Sequence, residues 1–252
     1  MKADLKTKAE IEAMRECGYK LSSVLERLIP FSTTGKTLLE IENLAQKLIA
    51  EEGGKAGFAM VPGYDWATCI NINDGIVHGI PNQYQLRPED VVSIDIGMYY
   101  KGFHTDMSTT FQVEPQHNKE IDHFLQTGQK ALEKAIAQVK PGNRIGHISQ
   151  VIEDIVEGQG YSCSRNLTGH GVGRTLHEYP QIPCILVQDI DQTPLIKAGM
   201  TLAIEVIYAQ GTYQNKTSKE DGWTISTADG KIAAVFEKTI AVTDDGYLIL
   251  TP

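Results

Sequence analysis

The sequence predicts an α+β fold in which two similar halves, each made of helices and strands, surround a central antiparallel sheet. The first observation is an internal repeat, since Gly35 and Ile41 recur 107 residues later as Gly142 and Ile148. The second is that both halves contain apolar, strand-like runs that carry a carboxylate. Such a repeat indicates halves related by a pseudo-two-fold axis, with the carboxylates at their junction.

The repeat favours a single domain over residues 1–252, with halves at roughly 1–115 and 116–252. No Pro/Ser-rich or low-complexity tract divides the chain, which is long enough to bury a large core. Asp95 and Glu205 occupy matching positions in the two halves, 110 residues apart. Chance similarity between two helix–turn–helix segments is the alternative, and the matching carboxylates disfavour it.

Local signals predict the elements in order. Thr7-Lys8-Ala9-Glu10 is a capping box, which predicts a helix from there towards Leu28, ended by Pro30. Apolar residues at helical spacing predict a second helix over 38–48, which Gly53 stops.

Further along the chain, apolar runs predict strands over 58–61 and 67–72, followed by a short apolar piece over 76–81. In the second half, helices are predicted over 119–139 and 145–155, separated by a Pro-Gly turn.

A hairpin between these regions carries the most informative residues. Asp95 lies inside an apolar strand, residues 100–102 form a turn, and a second strand carries Asp106. The return of the chain brings both carboxylates to one place. Two like charges at close range raise each other's pKa unless a cation lies between them, so the hairpin predicts a metal site.

Three further residues supply ligands of the same kind. Glu205 and Glu237 each interrupt an apolar strand, and His170 lies between glycines that let the backbone approach a site closely. Four carboxylates and one imidazole suit a pair of divalent cations such as Mn, Fe, Co or Zn. One aspartate in a strand is usually a satisfied core polar group, but three such strands disfavour that reading.

Composition excludes several classes of protein. The formal net charge of −9 and the scattered Lys and Arg residues argue against a nucleic-acid-binding surface. The start lacks the apolar run of a signal peptide, and no stretch is long and apolar enough to span a membrane. The four cysteines show no paired spacing, so we expect reduced thiols in a cytoplasmic protein, with a secreted disulfide pair as the alternative.

Several motifs together carry a family resemblance over nearly the whole chain. They are Asn71-Ile72-Asn73, Val77-His78-Gly79-Ile80-Pro81, Asp95, Gly102-Phe103-His104, Asp106, Gly169-His170-Gly171-Val172-Gly173, His177-Glu178, Ile204-Glu205, Asp221-Gly222-Trp223 and Phe236-Glu237. In this order they resemble the type I methionine aminopeptidases. Those enzymes have the pita-bread fold, which proline-specific aminopeptidases and creatinase share.

The resemblance implies a site with two divalent metal ions (Co, Mn, Fe or Zn). Asp106 and Glu237 would bridge the ions, Asp95 would hold one ion, and His170 with Glu205 would hold the other. A hydroxide shared by the ions would attack the first peptide bond, removing the N-terminal methionine from nascent chains.

The resemblance also implies roles for residues beside the metals. His177 would stabilise the oxyanion, His78 would orient or protonate the leaving amine, and Glu205 would also move a proton. The alternatives are a surface-loop histidine for His177 and a core histidine for His78.

A methionine pocket is implied at Tyr64, Cys69 and Trp223, although ordinary core packing predicts the same residue types. The implied partners are the N-termini of nascent polypeptides, and docking on the ribosome stays open. No nucleic-acid or membrane partner is expected, and a monomer is the default.

Some positions depart from the family pattern and indicate a divergent paralogue. Val206 replaces the usual proline after Glu205, and Val235 and Lys238 replace the Gln and His that usually flank the aromatic-Glu pair. Lys238 should point away from Glu237 on a strand. Two alternatives remain: an Xaa-Pro aminopeptidase of the same fold, which usually has an extra N-terminal domain not expected here, and a non-catalytic peptide-binding module.

Overall fold

The structure is a computed structural model and describes residues 2–114 and 118–252. The predicted boundary between the halves, after residue 115, lies outside the described residues. The helices are α1 (Lys8–Phe31), α2 (Leu38–Glu51), α3 (Lys119–Ile136) and α4 (Ile145–Glu157). The strands are β1 (Lys55–Ala56), β2 (Thr68–Ile72), β3 (Gly75–Val77), β4 (Val91–Tyr100), β5 (Phe103–Gln112), β6 (Ser162–Cys163), β7 (Thr168–Gly171), β8 (Glu178–Pro183), β9 (Thr201–Ala209), β10 (Asn215–Thr217), β11 (Ile225–Thr227), β12 (Ala233–Val242) and β13 (Tyr247–Ile249).

A ten-stranded antiparallel sheet forms the centre of the molecule. Its main path runs β1-β4-β5-β12-β9-β7-β8, while β2 pairs with β4, β6 with β9 and β13 with β12. The pairing of β5 with β12 joins the strands of the first half to those of the second. A smaller sheet, β10-β11-β3, lies apart from this path. The predicted α+β class with a central antiparallel sheet is confirmed.

The two halves repeat the same local construction. Thr37, just before α2, forms an isolated bridge with Gln85, and Arg144, just before α4, forms one with Leu195. These bridges are offset by 107 and 110 residues, the offsets found in the sequence. Each half also has its own apolar core, one under α1 and α2 and the other under α3 and α4. The predicted pseudo-symmetry is therefore visible in hydrogen bonding as well as in sequence.

The four helices begin where the sequence predicts, and the capping box of Thr7 and Glu10 is present. Pro30 does not end α1 directly, because the helix continues to Phe31 and ends at Ser32, whose hydroxyl donates to the Leu28 carbonyl at 2.8 Å. The third helix ends at Ile136, three residues before the predicted end.

The predicted strand over 58–61 is wrong. Residues Phe58–Met60 form a 3₁₀ turn, which follows a hydrogen bond from the Gly57 N–H to the Gly97 carbonyl at 2.8 Å. A run of four apolar residues does not distinguish a strand from a buried turn. The turn buries the Phe58 side chain under the sheet instead of extending the chain along its edge.

A buried carboxylate joins α2 to β2. Glu42 has no exposed surface, and its oxygens accept hydrogen bonds from the Ala67 N–H at 2.7 Å, from the Thr68 N–H at 3.0 Å and from the Thr68 hydroxyl. Gln46, one turn further along α2, donates a fourth at 2.7 Å. This single side chain therefore accepts the hydrogen bonds of the donors at the start of β2, the strand that carries Cys69.

Replacing Glu42 with alanine should lower the free energy of unfolding by about 3 kcal/mol, because buried donors lose a charged acceptor. Glu51→Ala on the same helix is the matched control, since its carboxylate is 46% exposed and its ion pairs are worth little. We expect the control to change stability by less than about 0.5 kcal/mol in urea unfolding. Equal losses in the two variants would show that Glu42 has no special role.

Candidate metal centre

Five adjacent strands each contribute one of the five predicted ligands. In sheet order β4, β5, β12, β9 and β7, the residues are Asp95, Asp106, Glu237, Glu205 and His170. Residues separated by an even number along a strand, or directly paired across strands, lie on the same face of a sheet. The ligands thus form a row across the centre of the sheet, on one face.

The strand registers fix this row. Glu237 lies opposite Glu205 in the β12–β9 pair and opposite Ser108 in the β12–β5 pair. Ser108 lies in turn opposite Asp95, and Asp106 is two residues before it. His170 pairs with Ala203, two residues before Glu205. Glu205 and Glu237 are therefore directly paired, and Asp95 and Asp106 both lie next to Ser108, the other partner of Glu237.

The imidazole of His170 faces the carboxylates through Nε2. Its Nε2 lies 3.7 Å from Asp106 Oδ2 and 3.6 Å from Glu205 Oε1, too far for hydrogen bonds. Its Nδ1 lies 2.8 Å from the Gly171 carbonyl oxygen, which only accepts, so Nδ1 carries the proton. The Nε2 lone pair then points at the carboxylates, the arrangement typical of a metal-binding histidine.

Several oxygens in this row have no partner within the described residues. They are Asp95 Oδ1, Asp106 Oδ1 and Glu237 Oε1. An unpaired buried charge costs several kcal/mol, so a cation is the natural complement of these atoms. Ligand atoms of Asp106, His170 and Glu237 also lie within 4.8 Å of one another, which is close enough to share an ion. The donor set therefore fits a divalent metal.

Burial and mutual repulsion raise the pKa values of the carboxylic acids. Burial raises the pKa of Asp95 to about 7, although the nearby Asp106 partly offsets the rise. The pKa values of Asp106, Glu205 and Glu237 are raised well above their usual range, first by burial and then by the neighbouring carboxylates. Burial and the nearby His177 lower the pKa of His170 to about 3. The histidine is therefore neutral, as a metal ligand must be.

The glycines beside His170 permit close packing of strands. A Cβ at Gly169 would lie 2.5 Å from the Ala203 carbonyl oxygen, and one at Gly171 would lie 2.6 Å from the Tyr179 oxygen. Any larger residue would push β7 away from its neighbours on both sides. Glycine is therefore needed beside His170 because it lets β7 lie close to both neighbouring strands.

All ten residues predicted for the site line one cavity of about 270 Å³. These are Tyr64, Cys69, His78, Asp95, Asp106, His170, His177, Glu205, Trp223 and Glu237. The row of carboxylates lines the cavity together with an apolar cluster that includes Phe58, Tyr64, Cys69 and Leu176. The cavity thus combines a charged centre with an adjoining apolar recess.

Comparison with known proteins places this arrangement in a family. The model of metallopeptidase family M24 matches residues 12–244, nearly the whole chain. The chain belongs to metallopeptidase family M24. As a member of this family it binds divalent metal, and the row of buried acids and His170 is where the structure offers a cluster of ligands.

Relatives that match this chain closely over almost its full length are methionine aminopeptidases. A methionine aminopeptidase of Clostridium perfringens is 36% identical over 98% of this chain and 98% of its own. A crystal structure of methionine aminopeptidase from Thermotoga maritima matches with a TM-score of 0.95 and 35% identity, covering 99% of both chains. The resemblance to methionine aminopeptidases is confirmed.

A prolidase from Pyrococcus furiosus also matches, with a TM-score of 0.78 at 22% identity. The match covers 98% of this chain and 65% of the prolidase, and at this identity it shows the fold alone. The predicted pita-bread fold, with its two pseudo-symmetric halves, is confirmed by these structures.

The apolar recess of the M24 site contains the three predicted pocket residues. The rings of Tyr64 and Trp223 meet edge to face, with centroids 5.2 Å apart. The Tyr64 hydroxyl donates to the Thr68 carbonyl at 2.8 Å and lies 3.1 Å from Cys69 Sγ. Burial raises the pKa of Cys69 well above its usual value, which keeps the thiol uncharged.

The lining residues that sequence reasoning did not place in the site include the apolar Phe58, Val61 and Leu176. The incorrect strand over 58–61 concealed the first two. Leu176 had a usable signal, because it is an apolar residue directly before His177 in an otherwise polar loop.

Two histidines besides His170 line the cavity. His78 follows β3 with a φ of 59°, a left-handed conformation that is uncommon for a residue other than glycine and often found at functional sites. The His177 ring contacts His170, with centroids 4.4 Å apart. Burial lowers the pKa values of both His78 and His177, so each is mainly neutral near pH 7.

Val206, Val235 and Lys238, the three departures next to proposed ligands, do not line the cavity. Val206 and Val235 are buried in the core of the second half. Lys238 points to the opposite face of the sheet, where its Nζ donates to the Thr251 carbonyl at 3.0 Å. The prediction that its charge stays out of the site is therefore confirmed.

The remaining sequence predictions concern the cysteines and membrane-spanning segments. All four cysteines are buried free thiols. Across residues 2–114 and 118–252, no helix has the length and apolar character that a membrane crossing requires.

Proposed function

We propose that this protein is a metal-dependent aminopeptidase that removes the N-terminal methionine from polypeptides. The observation that carries the proposal is the convergence of five ligand side chains beside an apolar recess in one cavity. The relatives that match the whole chain are named for this activity. The free α-amino group of the substrate would bind at the Asp95 end of the row, which would explain why such an enzyme acts only at a chain end.

The proposed cofactor is a pair of divalent ions, Co, Mn, Fe or Zn. Asp106 and Glu237 would bridge the pair from the two central strands. Asp95 would complete one site, and His170 with Glu205 would complete the other. Bound ions would supply an activated water and polarise the scissile carbonyl.

The chain's own groups would complete the chemistry. The His177 ring, held against His170, would donate a hydrogen bond to the carbonyl oxygen as negative charge develops on it. Glu205, which lines the cavity beside His170, would accept the proton released from the attacking water. His78, whose ring lies 6.3 Å from that of Trp223, would orient the leaving amine.

The recess would select methionine. Tyr64, Cys69 and Trp223 present aromatic faces and a neutral thiol to the bound side chain. Methionine is unbranched and flexible, and its sulfur makes favourable contacts with aromatic rings. A lysine or glutamate side chain would lose its hydration there without gaining a partner.

Further proposals concern the protein in its cell. Residues 1–252 would act as one catalytic domain, supported by a sheet that includes strands from both halves. The substrates would be N-termini of nascent polypeptides in the cytoplasm, met by a monomer that uses its own surface for any contact with the ribosome.

Peptide release tests the proposal. Metal-stripped protein should release no methionine from Met-Ala-Ser, and adding Mn, Co or Fe should restore release. A Gly-Pro peptide is the comparison substrate and should stay intact. Cleavage of Gly-Pro alone would assign the Xaa-Pro activity instead, and inactivity on both peptides with every metal would indicate a peptide-binding module.

A further inference from the structure

The N-terminal segment, residues 4–6, crosses the loop that carries His177. We define this loop, residues 173–178, as the His177 loop. The Lys6 N–H donates to the Gly199 carbonyl at 2.7 Å, which anchors the segment. The Lys6 side chain is only 1% exposed and forms an ion pair with Glu178, the residue after His177. A lysine this deeply buried requires a partner, and Glu178 provides it.

Glu178 also organises the loop from within. Its Oε1 accepts a hydrogen bond from the Thr175 N–H at 3.2 Å. The Thr175 hydroxyl donates to the His177 carbonyl at 3.1 Å, and the Gly173 N–H donates to the Thr175 carbonyl at 3.0 Å. The carboxylate therefore joins the start of the loop to its end, while the ammonium of Lys6 holds the carboxylate.

Gly173 leaves space for this ammonium. A Cβ at Gly173 would overlap Lys6 Cε and Nζ and would lie 2.8 Å from Glu178 Oε1. Because the φ of Gly173 is not left-handed, the glycine is explained by this close approach and not by backbone conformation. The space left by Gly173 and the charges of Lys6 and Glu178 thus both favour this ion pair.

We propose that Lys6 is a positioning residue, which holds the His177 ring in the cavity through its buried ion pair with Glu178. The inference rests on the proposed function, since it needs His177 to assist the reaction. Lys6 does not line the cavity and touches none of the proposed ligands, so its effect passes through the loop. The segment before α1 is therefore part of the catalytic apparatus.

Lys6→Met tests the proposal, because methionine keeps much of the side-chain volume and removes the charge. A displacement of about 1 Å in a catalytic group can lower the rate by about a hundred-fold, so we expect kcat for Met-Ala-Ser to fall by about ten- to a hundred-fold. We expect KM to change less than kcat. Lys8→Met is the matched control, since the same charge is removed from a nearby side chain that is 96% exposed. Its kcat should equal that of the unmodified protein.

The effect of Lys6 should depend on His177. In a His177→Ala background, Lys6→Met should lower kcat by less than about two-fold, because groups that act as a unit are not additive. A full additional loss would overturn the proposal, since Lys6 would then act elsewhere. Unchanged kcat in His177→Ala would also overturn it, by removing the group that Lys6 is said to position.

Hydrogen exchange gives a readout that needs neither metal nor activity. In metal-free Lys6→Met, the amides of Gly173 and Thr175 should exchange about ten-fold faster than in Lys8→Met, because the Glu178 carboxylate that closes the loop loses the ammonium that holds it. Unchanged exchange rates would show that the Lys6–Glu178 ion pair does not hold the His177 loop, which would overturn the proposal. If the unmodified protein released no methionine, the proposed function would fail. The exchange rates would still decide whether the Lys6–Glu178 ion pair holds the His177 loop.

Glu178→Gln provides a second variant in case Lys6→Met unfolds. Glutamine keeps the shape of Glu178, and Lys6 retains Asp4, whose Oδ2 lies 3.4 Å from Nζ. We expect a smaller fall in kcat with the same faster exchange at Thr175. Full activity in a folded Glu178→Gln protein would contradict the proposal.

Discussion

Replacing Asp106 with asparagine should abolish metal-dependent methionine release, lowering kcat/KM by about a thousand-fold or more. Asp106 lies on a central strand between Asp95 and Glu237, and its Oδ2 faces His170. An amide keeps the shape but loses the charge and one of the oxygens that would bridge two ions. Loss of about 4 kcal/mol of metal-derived stabilisation corresponds to this factor.

The control for Asp106→Asn is Asp244→Asn, which removes the same charge from a side chain that is 82% exposed. The control should retain full activity and metal affinity. Both variants should fold, because asparagine at position 106 relieves repulsion among buried carboxylates in the metal-free protein. Methionine release by Asp106→Asn at the normal rate would exclude the proposed ligand set.

The metal-free protein should lose stability as the pH rises, and bound metal should remove this loss. Burial raises the folded-state pKa of Asp95 from 3.8 to about 7. A raised pKa means that the folded state binds the proton more tightly, so the stabilisation is complete below pH 3.8 and is lost as the pH rises through about 7. For Asp95 alone the change amounts to about 4 kcal/mol.

Asp106, Glu205 and Glu237 act in the same direction. The cavity histidines act oppositely, because their lowered pKa values cost stability only as the pH falls below their usual value of 6.5. From about pH 6.5 upwards, the pH dependence of the stability is therefore set by the carboxylates.

Thermal unfolding of metal-stripped protein between pH 6.5 and 8.5 measures this effect, at about 1.4 kcal/mol per pH unit for each carboxylate still protonated in the folded state. Saturating Mn should raise Tm most at the highest pH, since the cation favours the ionised carboxylates. A Tm of the metal-free protein that does not depend on pH would contradict the electrostatic account.

Three of the five proposed ligands could be predicted because each breaks a strong local pattern. Asp95, Glu205 and Glu237 are carboxylates inside apolar strands. Because a buried charge is costly without a partner, the sequence alone predicts that each has one. The arrangement of the five ligands on five adjacent strands could not be predicted in the same way. Strand order and register depend on pairings between residues more than a hundred positions apart, such as Ser108 with Glu237.

Other features lacked any local signal. Phe58 belongs to a short apolar run that fits a strand equally well, and its turn depends on a hydrogen bond to a distant strand. Lys6 precedes a capping box and resembles an ordinary exposed residue, yet tertiary packing buries it against Glu178. Burial of a charged residue by a partner 172 positions away is a property of the fold, not of the local sequence.

Anomalous diffraction from crystals soaked in Mn²⁺ or Co²⁺ tests the central claim most directly. The account predicts two peaks in the cavity, both within about 2.0–2.3 Å of carboxylate oxygens, with Asp106 and Glu237 contacting both ions and His170 Nε2 contacting one. Peaks confined to surface residues, or a cavity without metal at saturating concentrations, would contradict it.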